Sequence, residues 1–233
     1  MTQTKRILTL TLALLLALSA LCALAEVNGS VAIDRANFPD AKFRAYVRQF
    51  DTNGNGKLSL AERKAVLSIS VPNMGIASLK GIEYFTHLKN LLATGNKLRT
   101  LDVSKNRDLI GLLCSGNRLT ELDVSQNRLL YAFACGNNRI KRIDVSRNKV
   151  LGALNCQNNR VRELTLGSKP NMTSLRVSGN RLKTVDIKKC PKLRAYLTEA
   201  PVEEDGTLVW GDDHQIVIDA TTHLTAGRRV LYP

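Results

Sequence analysis

Residues 51–62 read DTNGNGKLSLAE and place an oxygen donor at positions one, three, five, seven, nine and twelve. Asp51, Asn53 and Asn55 alternate, Lys57 offers its backbone carbonyl, Ser59 stands ninth, and Glu62 closes the run with a carboxylate able to bind through both oxygens. A chain wound around one point aims such alternating groups inward, and Gly56 sits at the sharp bend this winding needs. A set made only of hard oxygens is calcium chemistry. Only Asp51 and Glu62 carry charge, so the expectation is one Ca2+ site of low affinity. The bland alternative is an Asn- and Gly-rich turn between two helices. The flanks favour the metal: Phe43, Tyr46, Val47 and Phe50 share one helical face before Asp51, and Leu58, Val66 and Leu67 supply apolar anchors.

A second chemistry lies in spacing. Residues 88–192 comprise five copies of a 21-residue unit, beginning at Leu88, Leu109, Leu130, Leu151 and Met172. Position ten of the copies is Lys97, Arg118, Arg139, Arg160 and Arg181, basic without exception. Position twelve (Arg99, Thr120, Lys141, Arg162, Lys183) and the start of position twenty (Arg107, Arg128, Lys149) add to it. The chain has 233 residues and a net charge of +14; the repeats hold 21 Lys and Arg against 7 Asp and Glu. Stacked copies would line position ten into a row of cations about 5 Å apart, repelling one another by roughly 1 kcal/mol per pair in bulk water. Such a row suits a polyanion: a sulfated or uronic glycan, a teichoic acid or, least well for want of interleaved aromatics, nucleic acid. Alternatively, one ancestral arginine was copied along the array, its stem covering apolar surface while its head stays wet.

Catalysis is not expected. His87, His214 and His223 sit in no nucleophile, zinc or triad motif, and an acidic loop accounts for Asp212-Asp213-His214. The recurring aspartates Asp102, Asp123, Asp144 and Asp186 at position fifteen read as acceptors for backbone N–H groups in a bend.

The remaining columns must position these residues. Positions one, four, six, eleven, fourteen and sixteen are apolar in the copies, for example Leu88, Leu91, Ala93, Leu98, Leu101 and Val103. No single unit buries six such residues; stacking makes the burial mutual, which predicts a repeat solenoid. Position nine is Asn96, Asn117, Asn138, Asn159 and Asn180, predicting an asparagine ladder at a bend. The pattern LxxLxCxxNxLxxLDVSxN resembles the bacterial leucine-rich repeat. That resemblance implies a right-handed coil stack with a parallel β-sheet on its concave face. A degenerate earlier coil is expected over residues 66–87, carrying Ile69, Val71, Ile76 and Leu79, while LTLGSKPN in the fourth copy departs from the pattern and leaves its second bend open. The loop at 51–62 resembles an EF-hand. An EF-hand-like unit followed by these repeats resembles secreted proteins of gut-type anaerobic bacteria. A lone hand implies a stiffened cap more than a sensor.

Residues 1–25 read as a secretory signal peptide, with Lys5 and Arg6 before an apolar run and Ala23-Leu24-Ala25 at the cleavage site. A retained membrane helix, or a lipoprotein modified at Cys22, are the competing readings. The expected organisation is therefore the signal at 1–25, a small helical EF-hand-like N-terminal cap at 26–66, repeats at 67–198 (clearest at 88–192) and a β-rich C-terminal cap at 199–233, with Trp210 in the core of that cap. No second apolar run is long enough to span a bilayer. Cys114, Cys135 and Cys156 recur at 21 residues in an inward column; parallel neighbours point the same way and pair poorly, so buried free thiols are expected there. Cys190 falls at position nineteen, in a bend. Positions three and five of each copy, which should face the concave side, are small and nearly neutral.

These features predict a monomeric, secreted or cell-surface, calcium-binding leucine-rich-repeat protein. Its partner would be an extracellular protein or an anionic polysaccharide. The alternative is a structural envelope or scaffold protein with calcium as its sole specific ligand.

Overall fold

The computed structural model describes residues 29–197 and four further strands at 208–210, 214–217, 223–226 and 229–231. The signal sequence and Asp212-Asp213 lie outside the described residues.

The repeats fold as a parallel-sheet solenoid. Strands β3 (Ser68–Ser70), β4 (Asn90–Leu92), β5 (Gly111–Leu113), β6 (Ala132–Ala134), β8 (Ala153–Asn155) and β10 (Ser174–Arg176) pair in that order, each on the next coil. Register follows the repeat: Leu91 stands opposite Leu112, Leu112 opposite Phe133, Phe133 opposite Leu154 and Leu154 opposite Leu175. The degenerate coil joins the same sheet, with Ile69 opposite Leu91 and with Ile69, Val71, Ile76 and Leu79 all buried. Position four therefore forms one inward column, because successive strand side chains alternate between faces. Leu88, Leu109, Leu130, Leu151 and Met172 at position one, and Leu98, Leu119, Ile140, Val161 and Leu182 at position eleven, complete the continuous core.

A second, shorter ladder forms where the chain returns. There β7 (Arg142–Asp144) pairs with β9 (Glu163–Thr165), and β11 (Thr184–Asp186) pairs in parallel with β14 (His223–Ala226). Beyond the helix α3 (Pro191–Leu197), β13 (His214–Val217) adds in parallel to β10, so the main sheet gains another rung after the period has failed. The strands β12 (Leu208–Trp210) and β15 (Arg229–Leu231) then pair antiparallel with β13 and β14. The change in direction ends both ladders.

At the other end, α1 (Ala41–Val47) and α2 (Leu60–Ala65) bracket the 51–62 loop. Asp40 caps α1 through Oδ1, accepting from Lys42 and Phe43 N–H, and its Oδ2 accepts from Ala77 N–H of the first coil at 2.8 Å. Phe38, Phe43 and Phe85 are wholly buried between cap and solenoid, with Phe38 6.0 Å from Phe43 and Phe50 5.7 Å from Phe85 between ring centres. Lys42 Nζ donates to Met74 O, and Tyr46 Oη accepts from Ser70 N–H. The open end of the apolar column is thereby covered and its polar groups are paired.

Candidate functional site

The first candidate is the loop. Its edge strand β2 (Lys57–Leu58) is paired antiparallel by β1 (Val31–Ala32), so it is closed without a second loop. Asp51 Oδ1 and Asn53 Oδ1 both accept from Asn55 N–H at 3.1 Å, which gathers the two oxygens around one atom. Asp51 Oδ2 accepts from Gly56 N–H, and Asn55 Oδ1 from Lys57 N–H, each at 2.8 Å. Gly56 has φ +77, a left-handed conformation that favours glycine.

Glu62 is held independently. Its Oε1 accepts from the Thr52 N–H and hydroxyl, and Oε2 accepts from Ser59 N–H, while Ser59 Oγ accepts from Glu62 N–H in a capping box. Burial would raise its pKa. The hydrogen bonds from Ser59 and Thr52 outweigh that and hold the carboxyl at about 2. The side-chain oxygens of Asp51, Asn53 and Asn55 and Glu62 Oε2 each keep a further lone pair, whereas Glu62 Oε1 already accepts two bonds. The donor set of Asp51, Asn53, Asn55 and Glu62 side chains, the Lys57 carbonyl and Ser59 consists of hard oxygens, the chemistry calcium takes, and Asp51 and Asn53 are drawn together at Asn55 N–H. Among the described residues no group of three His, Cys, Asp or Glu side chains is placed to hold a metal. The loop's two carboxylates fall outside that pattern.

The second candidate is the position-ten column. Lys97, Arg118, Arg139, Arg160 and Arg181 are all exposed. Their backbones keep the stack in register: Arg118 N–H donates to Leu98 O, Arg139 to Leu119 O, Arg160 to Ile140 O and Arg181 to Val161 O. Among the described residues no ion pair engages these charged heads; the pairs are His87–Asp108, Arg142–Glu163 and Lys188–Asp186.

Position nine supplies structural support. Asn117 Nδ2 donates to Cys114 O of its own coil and Ala93 O of the preceding one, both at 2.9 Å, and its Oδ1 accepts from Leu98 N–H at 3.0 Å. Asn96, Asn138, Asn159 and Asn180 repeat this arrangement. The position-fifteen aspartates accept N–H bonds two residues on, from Ser104, Ser125, Ser146 and Lys188. They are thereby architectural.

The sequence reading missed a second ladder. Asn106, Asn127 and Asn148 at position nineteen are fully buried, and each Nδ2 donates to two carbonyls of the preceding coil. The recurring asparagine of LDVSxN was the available signal. In the fourth copy Lys169 takes this place. It is fully buried, its Nζ donates to Leu166 O and Ser168 O, and burial lowers its pKa. Gly167 at φ +68 makes the altered bend; a Cβ there would fall 2.9 Å from Ser146 Cα. Cys114, Cys135, Cys156 and Cys190 are free and buried, and burial pushes the Cys114 and Cys156 thiols up to about 12.

An exposed apolar strip was also not foreseen. Ile110, Leu129, Tyr131 and Val150 lie at positions twenty-one and two of adjacent coils, 39–52% exposed. The Tyr131 ring lies over Gly152, where a Cβ would fall 2.4 Å from it. Arg107, Arg128 and Lys149 precede the strip at position twenty. The cavities are open grooves; one of about 470 Å³ lies beside the loop, between Phe50, Thr52, Glu62 and Leu67. No described helix is long and apolar enough to cross a membrane.

No protein-family description matches the chain, and no curated protein matches it. Solved structures do. An internalin (InlF) from Listeria monocytogenes is similar at a TM-score of 0.55 and 21% identity, over 67% of this chain and 52% of that one. The functional domain of InlJ from the same organism, described as including a cysteine ladder, is similar at 0.43 and 24%, over 70% of this chain and 50% of that one. A leucine-rich-repeat protein of Leptospira interrogans is similar at 0.45 and 20%, over 57% and 43%. The chain thus spans about half the length of the two Listeria proteins. With the coil register and the asparagine ladders, the similarity to InlF shows that this chain has the leucine-rich-repeat solenoid fold.

Proposed function

We propose that the chain is a secreted, calcium-stabilised leucine-rich-repeat binding protein that holds an anionic polymer outside the cell on its position-ten column. The observation that carries this is the exposed cation, in no ion pair among the described residues, in each of the five repeat copies, at a spacing fixed by backbone hydrogen bonds between coils. Five like charges so close are unfavourable in the free protein, and a linear polyanion relieves that repulsion. Calcium at Asp51, Asn53, Asn55, Lys57, Ser59 and Glu62 would tie α1 to α2 and so stiffen the cap. The apolar leader of residues 1–25 supports secretion. The test is a salt titration on a heparin or teichoic-acid matrix. Retention at low salt that falls steeply with added salt, and is lost when Arg118, Arg139 and Arg160 become Gln, is expected. Unchanged elution of that triple variant would sink the assignment.

A second partner class is favoured by the strip of Ile110, Leu129, Tyr131 and Val150 beside three cations. This surface fits an acidic protein segment that also presents apolar side chains. Substituting Leu129 and Tyr131 with Ser would abolish capture of such a partner and leave retention on the polyanion matrix unchanged.

A further inference from the structure

We propose that Asn53 is a self-modification site, at which spontaneous deamidation turns a neutral ligand of the loop into an acid. The reaction needs an asparagine followed by a residue whose backbone nitrogen can reach the side-chain carbonyl carbon. Glycine hinders this least, because it has no Cβ. Among the described residues, only Asn53 and Asn55 are followed by glycine. The ladder asparagines are buried, or half-buried at Asn180, bonded through their amides and followed by larger residues.

The two loop sites differ in one hydrogen bond. Gly56 N–H, the nucleophile that would attack Asn55, donates to Asp51 Oδ2 at 2.8 Å. Gly54 N–H, which would attack Asn53, has no acceptor among the described residues. Asn53 is exposed, so water and base reach it. In the reaction the Gly54 nitrogen bonds to Asn53 Cγ, and the Cγ–Nδ2 bond breaks. Ammonia leaves with the amide proton, and a cyclic imide forms. Water then opens the imide to aspartate or isoaspartate. The net change is amide plus water to acid plus ammonia, with no oxidant.

The consequence for the metal rests on the calcium reading; the reaction does not. Aspartate at position 53 would add a third carboxylate to a site with two, and charge count raises calcium affinity. Isoaspartate would insert a methylene into the main chain and displace the ligands that follow.

The test is peptide mapping by mass spectrometry, with aspartate and isoaspartate resolved, on the full protein kept folded in chelator at mildly alkaline pH. Asn53 should convert several-fold faster than Asn55 in the same peptide. In denaturant, where the Asp51 bond is lost, the two rates should become similar, and Asp51→Ala should raise the Asn55 rate in the folded protein. Equal rates at the two sites in the folded protein, or no conversion at Asn53, would overturn the proposal. Separately, Asn53→Asp should enlarge the rise in melting temperature caused by calcium. If calcium shifts neither Asn53→Asp nor the parent protein, the metal reading fails while the mapping result stands.

Discussion

Asn117 and Asp123 show how differently two polar residues serve one coil. Asn117 bonds four backbone groups, three carbonyls and one N–H, in the bend between coils. Asn117→Ala leaves Leu98 N–H unpaired away from water, while Ala93 O and Cys114 O keep Asn96 and Asn138 as donors, and should cost about 1–3 kcal/mol by chemical denaturation. Asp123 accepts one exposed N–H, from Ser125; Asp123→Ala should cost less than about 1 kcal/mol. Glu62 adds a pH dependence. Its folded pKa, about 2, lies below the ordinary 4.5, so its contribution is complete above pH 4.5 and is lost as pH falls towards 2. Near-ultraviolet circular dichroism of the cap aromatics, followed between those values, should show weakening that Glu62→Gln removes. Both residues were visible in the sequence as members of patterns. Lys169 was visible only as a break in one, because its burial depends on the bend that Gly167 permits.

At the scale of elements, the N-terminal cap and the thiol column are the testable units. The cap is joined to the first coil by Asp40, Lys42 and Tyr46 and by the Phe38, Phe43 and Phe85 cluster. Calcium binding in the loop should therefore raise the melting temperature of the solenoid as a whole, and Asp51→Ala should abolish only the calcium-dependent part. Identical melting of the parent protein with calcium and with chelator would rule the site out. The cysteines of β5, β6 and β8 each follow directly on their strand, at position six, and are wholly buried. Burial drives their pKa values upward, so the reactive thiolate is scarce. A water-soluble alkylating reagent should leave Cys114, Cys135 and Cys156 untouched in the native protein at pH 8 and label all three in denaturant. The resemblance to the leucine-rich repeat implied the strands of the main sheet. The pairing of β1 with β2 was not legible, since two residues carry no period.

For the whole molecule, the stack converts one residue per coil into a surface. If position ten is the binding column, removing Arg118, Arg139 and Arg160 singly should each lower the slope of log affinity against log salt by a similar step, on the order of one ion. A slope unchanged by any of the three would move binding to another face. The strip of Ile110, Leu129, Tyr131 and Val150 is the other whole-molecule feature, and it joins residues up to 40 positions apart that the period brings onto adjacent coils.

The sequence alone determined the period, and with it which residues stack: a fixed 21-residue repeat brings equal positions into register whatever the overall shape. It also displayed the loop's donor series, because ligand order is local. Tertiary structure decided what each column does. Only neighbouring coils show that Asn117 is consumed by backbone groups while Arg118, one residue later, is left facing water, since hydrogen-bond partners across coils and access to solvent are properties of packed neighbours and not of order along the chain.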